Sequence, residues 1–294
     1  MMARKVVEKR KSVREFSNKA FSAADKAFIK KSLDEMPNLG EAGSVAYEFY
    51  EDGAEFIQKA QGLIGYNGVM IEAPHYVVFT AKNGLDNIKT AGFASEWLVL
   101  LMAEREIGSC QVSTDGNEEK LAEKLGIQEG FLPVCVLAVG YPKKESFLAS
   151  IFGTSKQTAR QSVEQEQKSQ LGDRVSAADF VYVNEFGNKA NLMDDNEDIP
   201  FMQAFYYMRL APSVLNRQPW KFVISGDKVV LLIDKGGEEI KGHTAYLEAG
   251  IAMFYFGVAM DGEGYHGTWV LDENIDRLGA PDQYIVAGTY VPRV

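Results

Sequence analysis

The chain has 294 residues, 46% hydrophobic and 24% charged, enough to bury one large core or two smaller ones. A net charge of −10 argues against nucleic acid as the partner, although a local basic pocket stays open. No apolar run approaches the roughly 20 residues of a membrane span, and two cysteines without metal-ligand spacing, Cys110 and Cys135, with no signal-peptide pattern, make a reducing cytoplasm the expected location.

In chain order, residues 4–9 read as a short helix that delivers the basic stretch RKSVREF, 10–16, into a turn. Ser22 with Asp25 makes a capping-box-like start for a helix to about Met36, which Pro37 ends. Residues 45–51 alternate as a strand, 54–63 look helical, and 75–82 have the pattern of a buried strand. The longest helical pattern covers 85–107 and is rich in small residues, including Ala91, Gly92 and Ala94, as a tightly packed central helix would be. Gly108 ends it; a second helix follows over 117–125, then a strongly apolar strand over 133–140.

Composition changes at residue 143. Up to Pro200 the chain is rich in Gln, Ser, Lys and Glu, and it closes on the acidic run MDDNED. We read 146–198 as a connecting arm, part helical, between a first half over 1–145 and a second over 199–294. In the second half, 201–210 is helical, and 220–225 with 228–234 forms a hairpin through Gly226-Asp227. A second small-residue helix spans 246–260, and strands over 265–271 and 284–291 complete an α+β pattern.

The stretch APSVLNRQPWKFVIS, 211–225, carries chemistry of its own. Pro212 and Ser213 make a turn with hydrogen-bonding groups on offer, and Asn216 can donate and accept at once. Pro219 pins the backbone before a buried-strand run. A polar loop held rigid there suits a flat, hydrogen-bonding ring. Arg217 reads as a surface residue, Trp220 as core, and His75 as a core or strand-end histidine. His243 and His266 lack metal-ligand spacing, so no metal is assigned.

This stretch resembles the PSxxNxQPW element of the nitroreductase-like flavoproteins, and RKSVREF resembles that family's RRSxR motif. APHYVVF (73–79) and VLAVGYP (136–142) extend the likeness along most of the chain. In typical members the two motifs lie close together, whereas here they are far apart. An internal duplication accounts for that. PNLGEAGSVAYEFYED (37–52) lies over PSVLNRQPWKFVISGD (212–227) without a gap, and LGIQEGFLPVCVLAVGY (125–141) over LGAPDQYIVAGTY (278–290) with four residues removed. Each half then resembles one subunit of a nitroreductase dimer, making the chain a single-chain pseudo-dimer and a functional monomer.

The resemblance implies flavin mononucleotide (FMN), one per chain, between the halves. Arg10, Lys11, Ser12 and Arg14 would hold the phosphate, with Arg14 alternatively at the N1/O2 edge of the ring. Pro212, Ser213 and Asn216 would hold the ring. Gln111, Val112 and Ser113, in GSCQVS, lie where the family sets a backbone N–H on flavin N5, Asn67 where members often carry a flavin-contacting Asn. Lys156 and Arg160 are the candidates for the basic residue after the GYP strand that reaches the phosphate, and Arg160 fits better. The mirror site would be dead, with Asn38, Gly40 and Glu41 in place of the ring motif and Asp194, Asp195, Glu197 and Asp198 in place of the basic one. The implied activity is ping-pong hydride transfer from NAD(P)H to a small electron-poor acceptor such as a nitro compound, quinone or flavin. The alternative is a flavin-binding protein that stores or senses FMN without turnover.

Overall fold

The computed structural model describes residues 4–65, 70–114, 116–143, 174–190, 201–238, 240, 242–272 and 275–293. The first half runs α1 (Arg4–Lys9), α2 (Ala23–Asp34), β1 (Val45–Tyr50), α3 (Gly53–Ala60), β2 (His75–Lys82), α4 (Leu85–Glu104), β3 (Gly108–Val112), α5 (Glu118–Leu125) and β4 (Phe131–Gly140). Local chemistry sets several boundaries. Ser22 accepts from the Asp25 N–H at the start of α2, and Asp52 accepts from Ala54 and Glu55 at the start of α3. Gly126, at φ 70°, closes α5 in the left-handed conformation.

The second half adds β5 (Val181–Val183), α6 (Met202–Met208), β6 (Trp220–Ser225), β7 (Lys228–Asp234), α7 (Thr244–Gly262), β8 (Gly267–Val270) and β9 (Tyr284–Pro292). Residues 181–183 lie in the stretch that composition reads as a connecting arm, yet they pair parallel with β6. Val181 is fully buried there; three residues are too few to show an alternation in sequence.

The two sheets repeat each other. One has the order β1-β2-β4-β3, the other β5-β6-β7-β9-β8, so four strands recur in the same order, all antiparallel. Even the irregularity recurs: β2 breaks register against β4 between Phe79 and Thr80, and β7 against β9 between Leu231 and Leu232. Those bulges correct the four-residue gap read from sequence. Val45 opposite Ala81 matches Trp220 opposite Ile233, and Cys135 opposite Phe79 matches Gly288 opposite Leu231. Leu125 therefore lies over Leu278, and Phe131, which opens β4, over Tyr284, which opens β9, with nothing removed. Setting Tyr141 over Tyr290 matches a residue type that stands at different heights on the two strands.

Helices α4 and α7 pack along each other between the sheets, and one hydrophobic core crosses both halves. Their approach is reciprocal. A Cβ on Gly92 would stand 2.2 Å from the Leu247 carbonyl oxygen, and one on Gly250 would stand 1.8 Å from the Lys89 carbonyl oxygen. Only glycine allows backbones that close. Paired contacts of this kind are what a two-fold dimer interface makes, here inside one chain. Trp220, Phe222 and Phe256 are fully buried in this core, each worth about 1.5–3 kcal/mol relative to exposure. Smaller clusters around Phe56 with Tyr76, and Tyr182 with Tyr284, cover the outer sheet faces.

Candidate functional site

The basic segment is laid along the edge strand β3. Val13 N–H donates to the Ser109 carbonyl at 2.8 Å, Ser12 bridges Ser109, and Phe16 bridges Pro142. Gly108 permits this, since a Cβ there would meet Val13 Cγ2 at 2.8 Å. GSCQV, given no strand in the sequence reading, is thus a strand paired with residues 136–140 and the support for the basic segment.

Loop 212–219 arrives from the other half, and its backbone is unusual. Leu215, Asn216 and Gln218 have φ of 51°, 55° and 49°, the left-handed region that side chains rarely adopt. Such conformations cost about 1–3 kcal/mol each unless their surroundings hold them. Here the surroundings do. Ser213 Oγ accepts from the Gln218 N–H at 2.9 Å, and Gln218 Oε1 accepts from the Val175 N–H at 3.0 Å. Beneath the loop, Glu248 on α7 accepts from the Val214 N–H at 2.8 Å and from Arg217 Nε at 2.9 Å, while Arg217 Nη2 makes a short ion pair with the same carboxylate. Arg217 Nη1 also donates to the Asp234 carbonyl. Burial raises the proton affinity of Glu248, and Arg217 with the Val214 N–H oppose that rise. Arg217 is therefore no surface residue: its side chain is 15% exposed and clamps the loop to the helix. Its partner lies 31 residues on, and nothing local in NRQPW reveals it.

Between these segments lies a cavity of about 360 Å³. Its walls include Arg10, Lys11, Ser12, Arg14 and Gln111 of the first half and Pro212, Ser213 and Asn216 of the second. Arg174 and Cys110 complete it in ways the sequence reading missed. Arg174 donates to the Ala211 carbonyl at 2.8 Å, and burial together with neighbouring Arg10 lowers its proton affinity. A lone Arg after a long polar stretch carried no periodic or motif signal. Val112 and Ser113 do not line the cavity. Val112 is buried in the outer cluster of the first sheet, and the Ser113 carbonyl accepts from the Gly65 N–H. Asn67, Lys156, Arg160 and the acidic positions Asp194, Asp195, Glu197 and Asp198 lie outside the described residues.

The cavity's charge is one-sided. Among the described residues, four cations, Arg10, Lys11, Arg14 and Arg174, line it and no carboxylate does, in a chain of net charge −10. Arg10 Nε is buried without a hydrogen-bond partner. An uncompensated buried donor costs about 1–3 kcal/mol, more for a charged group, which favours an anionic occupant. Trp220 is core, as expected, and His75 is 1% exposed at the start of β2, accepting from the Phe21 N–H. Among the described residues no cluster of His, Cys, Asp and Glu could hold a metal ion. None of the described helices is long and apolar enough to cross a membrane.

Comparison with known proteins adds a family and a fold. The family model described as "Putative TM nitroreductase" matches residues 3–260. A crystal structure of a putative nitroreductase from Thermotoga maritima MSB8 is similar over 99% of this chain and 92% of its own, with TM-score 0.56 and 17% identity. An FMN-dependent nitroreductase from Clostridium difficile R20291 aligns over 48% of this chain and 88% of its own, at TM-score 0.42 and 18% identity. A nitroreductase family protein from Clostridium novyi NT covers 49% and 87%, at 0.43 and 20%. No curated protein sequence matches.

Proposed function

The chain belongs to the TM nitroreductase family, and on that premise we propose that it is an FMN-dependent NAD(P)H oxidoreductase holding one flavin between its halves. One observation carries the reading: a single cavity joins four cations and a hydroxyl, mostly from the first half, to a rigid amide-bearing loop from the second. The residues fit the cofactor. Arg10, Lys11, Ser12 and Arg174 offer charge-assisted donors to a phosphate, which needs several. Pro212, Ser213 and Asn216 present hydrogen-bonding groups to a planar ring. With its acceptor lone pair engaged by Gln218, Ser213 keeps a hydroxyl proton to give. Arg14, exposed at the rim, is the cation available to offset negative charge on a reduced ring.

The chemistry FMN would supply is hydride transfer from NAD(P)H to a nitro compound, quinone or flavin, in ping-pong order. This chain's own residues bind and orient. The strained loop, clamped by Glu248, keeps its donors preorganised, and the buried side of the cavity limits water. A functional monomer acting on a small molecule, without nucleic acid or membrane as partner, completes the proposal.

Purified protein should be yellow, release about one FMN per chain, and bleach quickly on anaerobic addition of excess NADPH. Two flavins per chain would refute the single live site. A colour that persists under NADPH would make the protein a flavin carrier or sensor instead.

A further inference from the structure

Behind the cavity wall, three buried polar groups, Arg10, Glu96 and Tyr255, come together. Glu96 on α4 is 2% exposed, and its Oε2 has no hydrogen-bond partner. Arg10, at the end of α1, brings its unpartnered Nε within reach of that charge. Tyr255 on α7 brings its buried hydroxyl within hydrogen-bonding reach of the same carboxyl. Among the described residues, the remaining titratable neighbours come from several elements. Cys110 on β3 and Cys135 on β4 both feel the Glu96 charge, Gln111 donates to Cys135, and Cys110 also feels Arg14. Arg174 acts on Tyr255 and is itself opposed by Arg10 and Arg209. Arg10 is thus the cation that chiefly offsets this acid.

Packing alone does not call for an acid here. The reciprocal contacts of Gly92 with Leu247 and Gly250 with Lys89 make Glu96 equivalent to Phe254, which sits comfortably in the shared core. A buried carboxyl whose offsetting cation, Arg10, lines the cavity therefore has a use connected with that cavity.

We propose that Glu96 takes up a proton when a phosphate-bearing flavin draws on Arg10, so that cofactor loading is coupled to protonation of the buried acid. The argument rests on the flavin reading above. One guanidinium can offset one buried anion, but a phosphate dianion and a carboxylate compete for it. The carboxyl yields more readily, because burial has already pushed its pKa up to about 7 against the pull of Arg10 and Tyr255. Sharing Arg10 with phosphate raises it further. Binding then consumes a proton from solvent at pH values above neutrality, and affinity falls as pH rises.

Glu96→Gln, neutral and of the same shape, should abolish this coupling. FMN and riboflavin are titrated against both proteins by fluorescence quenching from pH 6 to pH 9. At pH 6 the two should bind FMN alike. At pH 9 the parent should bind it about tenfold more weakly than the variant, one unit of protonation linkage. Riboflavin, which lacks the phosphate, should show no such gap, and ionisation of the phosphate itself affects both proteins equally. Calorimetry of the parent at pH 8 in buffers of different ionisation enthalpy needs no variant and should report roughly half to one proton taken up per FMN. Identical pH profiles, zero proton uptake, or an equal gap for riboflavin would overturn the role of Glu96 and leave the flavin site standing. Failure of both proteins to bind FMN at any pH would overturn the flavin reading as well.

Discussion

Loop 212–219 and its counterpart 37–44 enter equivalent strands, β6 and β1, and they behave differently. The second-half loop carries three non-glycine residues at positive φ and is pinned by Glu248 and Arg217. In the first half the corresponding residues are Thr90 and Ala42, which cannot form the clamp. Thr90 spends its hydroxyl on the Asp86 carbonyl of its own helix. Loop 37–44 is held by its own Asn38, which accepts from the Gly40 N–H and donates to the Glu41 carbonyl, and its one positive φ falls on Gly43. The helix interface tells the opposite story, with Gly92 and Gly250 making matching contacts. Duplication preserved what both halves need in order to pack. Of these two loops, only the one beside the cavity carries non-glycine strain and a buried ion pair.

The sharpest way to break this comparison is to remove the clamp. Glu248→Ala leaves Arg217 buried without its anion and should cost about 3–5 kcal/mol in denaturant unfolding. Thr90→Ala, the equivalent change, should cost roughly 1 kcal/mol, one local hydrogen bond. Equal losses would mean that the two loops are held alike. The interface should instead respond evenly. Gly92→Ala and Gly250→Ala each drive a methyl into a backbone carbonyl, so each should destabilise by about 1–3 kcal/mol or more. A large loss for one and none for the other would deny the pseudo-two-fold.

The binding comparison comes next in size. Arg10→Ala should weaken FMN about tenfold to a hundredfold, equivalent to roughly 1.5–3 kcal/mol, and barely change riboflavin. Asn216→Ala should weaken both ligands alike, because both carry the ring. The smallest effect is expected on the other side. Asn38→Ala should shift neither affinity more than about twofold, and a tenfold loss would revive the mirror site. Fluorescence titration reads all three variants.

Much of the fold was legible because its elements declare themselves in short windows. The small residues of α4 and α7, the cap at Ser22, the turn at Gly226-Asp227 and the repeated Pro-loop-strand pattern are all local. So were Arg10, Lys11, Ser12, Arg14, Pro212, Ser213 and Asn216, whose gathering around one cavity follows once the halves are paired. Less local features escaped. Strand β3 and strand β5 are five and three residues long, too short for periodicity to distinguish from a turn. The four-residue gap went wrong because matching letters cannot report the height of a residue on its strand.

By itself, then, the sequence determined the α+β class, the duplication, and which half carries each of the two motifs, since each depends on residue type and spacing along the chain. Tertiary structure decided the rest. It placed Arg174 in the cavity, turned Arg217 inward onto Glu248, and set Glu96 behind Arg10. A charged side chain looks the same in sequence whether it meets water or a buried partner. What separates the two is desolvation, which the packing of distant segments creates and no short window records.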